Sequence, residues 1–596
     1  MTDPYRDESS TAVAGGGSNA GKYAAGFSGS AGLANTQRPS AHSHAIKQTR
    51  SARGWFIGTV SAVAGIAGLS LWIGPAPIVA PWDVFTLLNG AYRIYEGQAP
   101  GTDFSNPIGP LVYGLTAIGM HLQRAPSLAA VTYGQVIFLV IASLLAWVVT
   151  WRRLPGPYAA AFTIFVAFLA VSVRPLGYSP QVTTYAMLYN RDGWLLYATL
   201  LLLVFVGRRM PSTKRSNAAD GFLLGLLLGL MFYDKITFFL ASLVAVGIGL
   251  ALSTLPRSAR LGATALAGFV VIGTLMRAAF GLHTTAYISD LLEAARVQGA
   301  HARAGQLAHA IFSIAPVIVV SVLLLGGLFI IIKRQDASIR GIMWLSLASA
   351  YIIGSSVLIS AGNAQEGGDL PALVVIPLLI VVFLEPSLPR WAGGSSTNHT
   401  TAWPVSESRL LLIGLAVLLV GTAGPIVGKD SLGLSKAIAL RGYDARPPAT
   451  QRFDAGLLRD FVIPADAQWQ TSYRTAHELP AMINNGLDLL RQNIRSGDTV
   501  FTLAYTDPFS AALGLPLSHC GPLWWDLGFD FEQTHYPSAQ CAIGNADWVI
   551  IPRMIPGQGC CQETVSVMLT LYSGYLSQHY KRVQQTPDWI LLRRMR

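Results

Sequence analysis

The chain of 596 residues is short of charge. Asp, Glu, Lys and Arg make up 12% of it, against 52% hydrophobic residues. A soluble globular protein carries roughly twice that share of charge, and the mean hydropathy is +0.44. The deficit falls between Gly54 and Gly428, where long apolar runs alternate with short loops. This excludes a wholly soluble fold. Cysteine is scarce too. The four cysteines, Cys520, Cys541, Cys560 and Cys561, all lie near the C-terminus, and paired C-x-x-C units are missing. That pattern argues against a zinc site and for disulfides in an oxidising compartment. Cys560 and Cys561, being adjacent, are expected to bond to different partners. Gly-rich phosphate loops and internal repeats are also absent. The formal charge of +11 fits basic cytoplasmic loops of a membrane protein better than nucleic-acid binding.

What is present divides into three regions. Residues 1–53 are Gly-, Ser- and Ala-rich without periodicity, and read as a disordered cytoplasmic tail. Residues 54–428 read as a transmembrane body. Apolar runs near 55–79, 129–150, 158–174, 193–207, 220–233, 235–253, 260–280, 309–332, 341–361, 370–385 and 409–427 give about eleven spans. The stretch 107–121 is left out because it holds two prolines and spoils the charge alternation. One set of loops is then short and basic: Arg152-Arg153, Arg208 to Arg215, Arg257 to Arg260, and Lys333 to Arg340. Basic loops stay in the cytoplasm. The opposite loops, including a long first loop at 80–128, fall outside, and so does the C-terminal region 429–596. There 481–494 and 565–579 read as helices, and 498–504, 547–552 and 588–592 as strands, predicting a small α/β domain. The expected fold class is therefore a polytopic α-helical membrane protein with a C-terminal soluble α/β domain.

Polar groups at the membrane's outer face are the candidate functional groups. The first outer loop is the densest. From Trp82 to Glu96 a helix would gather Phe85, Leu88, Tyr92 and Tyr95 on one face, suited to the interfacial plane, with Gly97 placed to end it. Asp83 lies at its start, where it could also serve as an N-cap. A G-x-x-P-x-x-D-F segment follows, ending in Asp103-Phe104, and then P-x-G-P-L-x-Y from Pro107 to Tyr113. Elsewhere, GFLLGLLLGLMFYDK (221–235) carries glycines every fourth residue and ends on Lys235 near a hairpin tip. The glycine spacing points to close helix packing.

These segments resemble the first outer loop and a lysine-ended span of GT-C glycosyltransferases. The likeness is nearest to the bacterial branch related to protein mannosyltransferases and to aminoarabinose transfer onto lipid A. The resemblance implies sugar transfer on the outer face of the inner membrane, from a polyprenyl-phosphate donor to a lipid, polysaccharide or protein acceptor. It implies Asp83 as base or metal-associated carboxylate, and Asp103 as the acid of the G-x-x-P-x-x-D-F segment and a further catalytic candidate. Lys235 becomes the donor-phosphate ligand. Many members carry two neighbouring acids where this chain has Asp83-Val84, which implies a single acid. Arg93, Arg191, Arg296 and Arg303 are further candidates for the donor phosphate, and a divalent metal ion is a candidate cofactor. The rival class is a transporter or a flippase for lipid-linked sugars. It would show repeated halves and mid-span charges, neither of which is seen.

Overall fold

The computed structural model describes residues 41–76, 81–209, 213–297, 339–362, 368–384, 405–442, 452–458, 460–461, 463, 478–553 and 562–595, with isolated positions between 308 and 326. The expected tail through residue 40, most of the span at 309–332, Arg303, Cys560 and Cys561 lie outside the described residues.

The helices follow the apolar runs. They are α1 (Ala41–Ile73), α2 (Pro81–Tyr95), α3 (Leu111–Gln123), α4 (Ala129–Thr150), α5 (Gly156–Ala170) and α6 (Leu188–Phe205). Then come α7 (Lys214–Asp234), α8 (Ile236–Ala251), α9 (Ala259–Phe280), α10 (Thr284–Val297) and α11 (Ile339–Gly362). A 3-10 turn at Pro371–Val374 runs into α12 (Val375–Leu384), and α13 covers Val405–Gly442. Among the described residues six helices are long and apolar enough to cross a membrane, with three shorter apolar helices beside them. At 22 residues α4 is about 33 Å long, the thickness of a bilayer's hydrocarbon core. On α9, Leu266, Val270 and Leu275 are exposed. A row of this kind suits lipid, where exposing apolar surface carries no hydrophobic penalty. The proline-bearing stretch left out of the span count forms α3, whose thirteen residues are too few to cross.

The glycine row of α7 has the packing role its spacing predicts. A Cβ on Gly225 would lie 1.9 Å from the Ala265 carbonyl oxygen, and one on Gly221 would lie 2.5 Å from that of Leu261. Thus α7 and α9 touch backbone to backbone, with Gly268 of α9 pressed equally close to Phe222. At the other end of the α6–α7 connection, Asp220 ties Arg153 and Arg208 together at 2.6 Å each.

The C-terminal α/β domain holds α14 (Leu479–Asn493), β1 (Val500–Thr502), α15 (Ser510–Leu513), α16 (Ala539–Ala542) and β2 (Trp548–Pro552), followed by α17 (Gln562–His579), β3 (Tyr580–Gln585) and β4 (Trp589–Arg594). The sheet order is β1-β2-β4-β3. β1 and β2 are parallel, and the other pairs are antiparallel. β3 went unread in the sequence because YKRVQQ buries only Tyr580, leaves Val583 exposed and is otherwise polar. Cys520 and Cys541 form a disulfide.

One expectation about α2 is overturned. It does not lie in an interface, because both its faces are covered. Thr86, Asn89 and Arg93 on the polar side are as buried as Phe85 and Tyr92. The C-terminal region supplies the cover. Phe85 packs on Phe453 and Phe461, and Gly90 lies against Leu523. Gly97 ends the helix as predicted, at φ +90°.

Candidate active site

Two joints in the chain build the site. The first is the break between α7 and α8. Lys235 is extended there (φ −158°, ψ 126°), so the helix axis is interrupted and Asp234 and Lys235 are left at the ends of two helices. The second is the segment Pro107-Ile108-Gly109-Pro110, which lies directly on that break. The Gly109 N–H donates to the Asp234 carbonyl at 3.0 Å. A Cβ on Gly109 would stand 2.0 Å from the Tyr233 oxygen and 2.5 Å from that of Asp234. Only glycine permits this approach, which explains the residue in the P-x-G-P motif and joins the first loop to Lys235.

Around this joint the predicted residues separate into two groups. Asp83 and Lys235 belong to the first. Asp83 is half-buried on the first turn of α2. Among the described residues its carboxylate accepts no hydrogen bond, so the capping role is not what holds it. Burial alone pushes its carboxyl up to about 6. Its charge acts on the phenols of Tyr113, on α3, and Tyr189, at the start of α6. Tyr189 also senses Asp234 and Asp526, and Tyr113 senses Asp530. The Lys235 ammonium completes the group. It donates to Asn190 Oδ1 at 2.9 Å and sits 4.7 Å from the centre of the Tyr189 ring. An ammonium has three donors, so two remain for a ligand. Asp234, beside it, is fully buried with no hydrogen bond to either carboxylate oxygen among the described residues.

The other predicted residues are placed elsewhere. Asp103 accepts from the Ala99 N–H at 2.7 Å, and its other oxygen lies 3.1 Å from His519 Nδ1. Arg93 is buried, and its Nη1 donates to the Ser518 carbonyl at 2.8 Å and to Gln98 at 2.9 Å. Burial lowers its guanidinium to about 10. Arg191 is buried and donates to the carbonyls of Ser172 and Arg174. Arg296 is exposed on α10 and pairs with Glu293. Arg93 and Asp103 thus belong to a strap formed by Leu517–Leu523 of the C-terminal domain. The Cys520 N–H meets the Asp103 carbonyl at 2.6 Å. Ser105 donates to the Gly521 carbonyl and accepts from Leu523, each at 2.9 Å. Cys520, inside the strap, is anchored by its disulfide to Cys541.

Sequence reasoning passed over Tyr113, Asp526, Asp530 and His519 as site residues. The Trp524-Trp525-Asp526 and Phe529-Asp530-Phe531 runs, acids set among large aromatics, were the available signal. It also missed Arg174, which is fully buried between Asp369 and Asp430 at 2.7 Å each. Lys429 lies 3.0 Å from Asp369. This network fixes the loop after α5 to α13 and to the start of the 3-10 turn. Among the described residues no three His, Cys, Asp or Glu side chains stand together as a metal site, so a ligand set for a divalent cation is not assembled there.

No sequence-family profile matches the chain, and no curated protein matches it. Among solved structures it is similar to ArnT from Cupriavidus metallidurans bound to undecaprenyl phosphate, with 12% identity and a TM-score of 0.43 over 90% of this chain and 98% of that one. It is also similar to the Archaeoglobus fulgidus oligosaccharyltransferase tethered to an acceptor peptide containing the NVT sequon. There the identity is 12% and the TM-score 0.36, over 89% of this chain and 73% of that one. At these values the likeness assigns neither substrate nor chemistry.

Proposed function

We propose that the protein is a membrane glycosyltransferase that moves a sugar from a polyprenyl-phosphate donor to an acceptor at the outer face of the inner membrane. The observation that carries this reading is that Asp83 and Lys235 both bear on Tyr189: the Asp83 carboxyl acts on its phenol, and the Lys235 ammonium lies 4.7 Å from its ring centre. One is a half-buried carboxylate poised near neutrality, and the other a lysine with free donors. In the proposed reaction an acceptor hydroxyl attacks the anomeric carbon. Asp83 takes the hydroxyl proton, and the bond to the phosphate oxygen breaks with its electron pair. The polyprenyl phosphate leaves against the Lys235 ammonium. A placed base contributes about 10²–10⁴-fold, and a cation at the leaving phosphate acts where charge develops. The proposal includes the topology: a cytoplasmic tail at 1–53, a membrane body at 54–428, and a C-terminal domain at 429–596 on the outer side. The basic loops around Arg152, Arg208 and Arg257 support that direction.

The test is donor consumption by the purified full chain, supplied with a panel of polyprenyl-phosphate sugars and membrane extract as acceptor. Wild type is expected to consume a donor. Lys235→Met is expected to raise the donor KM by about ten- to a hundredfold, the loss of a charge-assisted hydrogen bond. A wild-type protein that consumes none of the donors refutes the reading.

A further inference from the structure

A cavity of about 240 Å³ opens between α10, the first loop and the C-terminal domain. Asp290, Glu293, Asp530, His535, Tyr536 and Pro107 are among its lining. It is smaller than the roughly 300–1,000 Å³ of sites for drug-sized ligands, so it has room for one small ring. We propose that this cavity is a carbohydrate subsite that takes a neutral, hydroxyl-bearing sugar ring. Its wall includes Pro107, from the segment that lies on the break carrying Asp234 and Lys235, which makes it the acceptor's subsite, a role that rests on the transferase reading.

Three observations carry the proposal. The first is the unsatisfied carboxylate. Both oxygens of Asp530 are buried and make no well-formed hydrogen bond among the described residues, with the Asp526 backbone N–H as a nearby donor. Leaving such a group unpaired is costly, and burial pushes this carboxyl well above the usual carboxylate range, which leaves it able to donate as well as accept. A sugar's adjacent hydroxyls both donate and accept, and so match the two oxygens of such a carboxyl. The second is the rest of the wall. Asp290 is held in place by the Asn106 N–H at 2.8 Å. Tyr536 is 44% exposed, yet its ring is braced edge-on by Tyr572, whose hydroxyl is itself fixed to the Pro537 carbonyl at 2.9 Å. A fixed, exposed aromatic face beside acceptor groups suits the apolar face of a sugar ring. The third is charge. Asp290, Glu293 and Asp530 face the cavity, while Glu293 already engages Arg296 and lies 3.4 Å from His535. Burial holds the Asp530 carboxyl well above the usual carboxylate range, so the charge of the wall rests on Asp290 and Glu293, and among the described lining residues no unengaged cation is offered to phosphate or carboxylate. This separates the cavity from the lysine-bearing side of the site, where the donor phosphate belongs. The position fits as well, because the carboxyls of Asp530 and Asp83 both act on the same phenol, that of Tyr113.

The experiment is saturation-transfer NMR on the detergent-purified full chain, with methyl glycosides of common hexoses and N-acetylhexosamines as probes. The matching hexose 6-phosphates serve as comparators. At least one neutral glycoside is expected to bind, and the 6-phosphates are not. Asp530→Asn and Tyr536→Ala should each weaken binding at least about fivefold, the scale of one lost contact. In transfer assays the same variants should raise the acceptor KM and leave the donor KM unchanged. Absence of binding by every neutral glycoside overturns the proposal, as does binding unaltered in both variants, or a 6-phosphate that binds as well as its parent. If Asp530→Asn fails to fold, the surface change Tyr536→Ala decides alone. Glycoside binding without donor consumption would leave the subsite standing and remove the transferase reading.

Discussion

Replacing Asp83 by Asn separates a catalytic carboxylate from a structural one by the sign of a stability change. Burial raises the Asp83 carboxyl from 3.8 to about 6. The folded state therefore binds this proton more tightly than the unfolded chain does, and stability falls as pH rises between those two values. By pH 7 the ionised, folded form carries a cost of about 3 kcal/mol. Asn keeps the shape and carries no charge. Asp83→Asn is thus expected to raise the unfolding midpoint at pH 7.5, with the gain shrinking as the pH is brought towards 4. Over the same change transfer should fall by about 10²–10⁴-fold. Wild-type kcat/KM should rise with pH through about 6, as the base loses its proton, and fall again above about 7, as Lys235, lowered by burial, loses its own. Thermal unfolding in detergent at the two pH values, alongside donor turnover, checks all of this. A variant that is less stable at pH 7.5 and equally active would refute the reasoning and return Asp83 to a helix-start role.

Gly109→Ala should abolish turnover or folding, because its methyl would sit about 2 Å from the Tyr233 carbonyl oxygen, a backbone atom that cannot move aside. Turnover and membrane yield of the variant measure it, and wild-type behaviour would contradict the close approach. Arg174→Met strands Asp369 and Asp430 without their shared cation, and should destabilise by about 3–5 kcal/mol. Denaturant unfolding reads that loss. Cys520→Ala combined with Cys541→Ala should loosen the strap on the first loop. Faster hydrogen exchange at Ser105 and Leu523, whose amides bond across it, is the expected outcome. Unchanged exchange would mean that the backbone ladder alone holds the loop.

Several features were legible in the sequence because they depend on local chemistry. Span positions follow from apolar runs of sufficient length, as at 129–150 and 260–280. The contact of α7 with α9 follows from glycines every fourth residue, and the end of α2 from Gly97. In the C-terminal domain the two longer helices and strands β1, β2 and β4 showed in the sequence, whereas β3 and the four-residue helices α15 and α16 did not. The roles of individual charges were not legible, because a charge is defined by what tertiary contact brings to it. Arg93 reads as a phosphate ligand in an exposed helix, but the strap from Ser518 buries it and takes its donors. Arg191 reads as a loop cation, but the fold aims it at the carbonyls of Ser172 and Arg174. Asp83 and Lys235 stand more than a hundred residues apart in sequence. The Pro107–Pro110 segment lying on the break between α7 and α8 brings their surroundings together. The sequence by itself determined which segments are apolar enough for lipid and where helices must stop, since those follow from transfer energies and backbone sterics. Only the tertiary structure decided which buried charges are satisfied, as Arg174 is by Asp369 and Asp430. Satisfaction of a charge depends on partners hundreds of residues away.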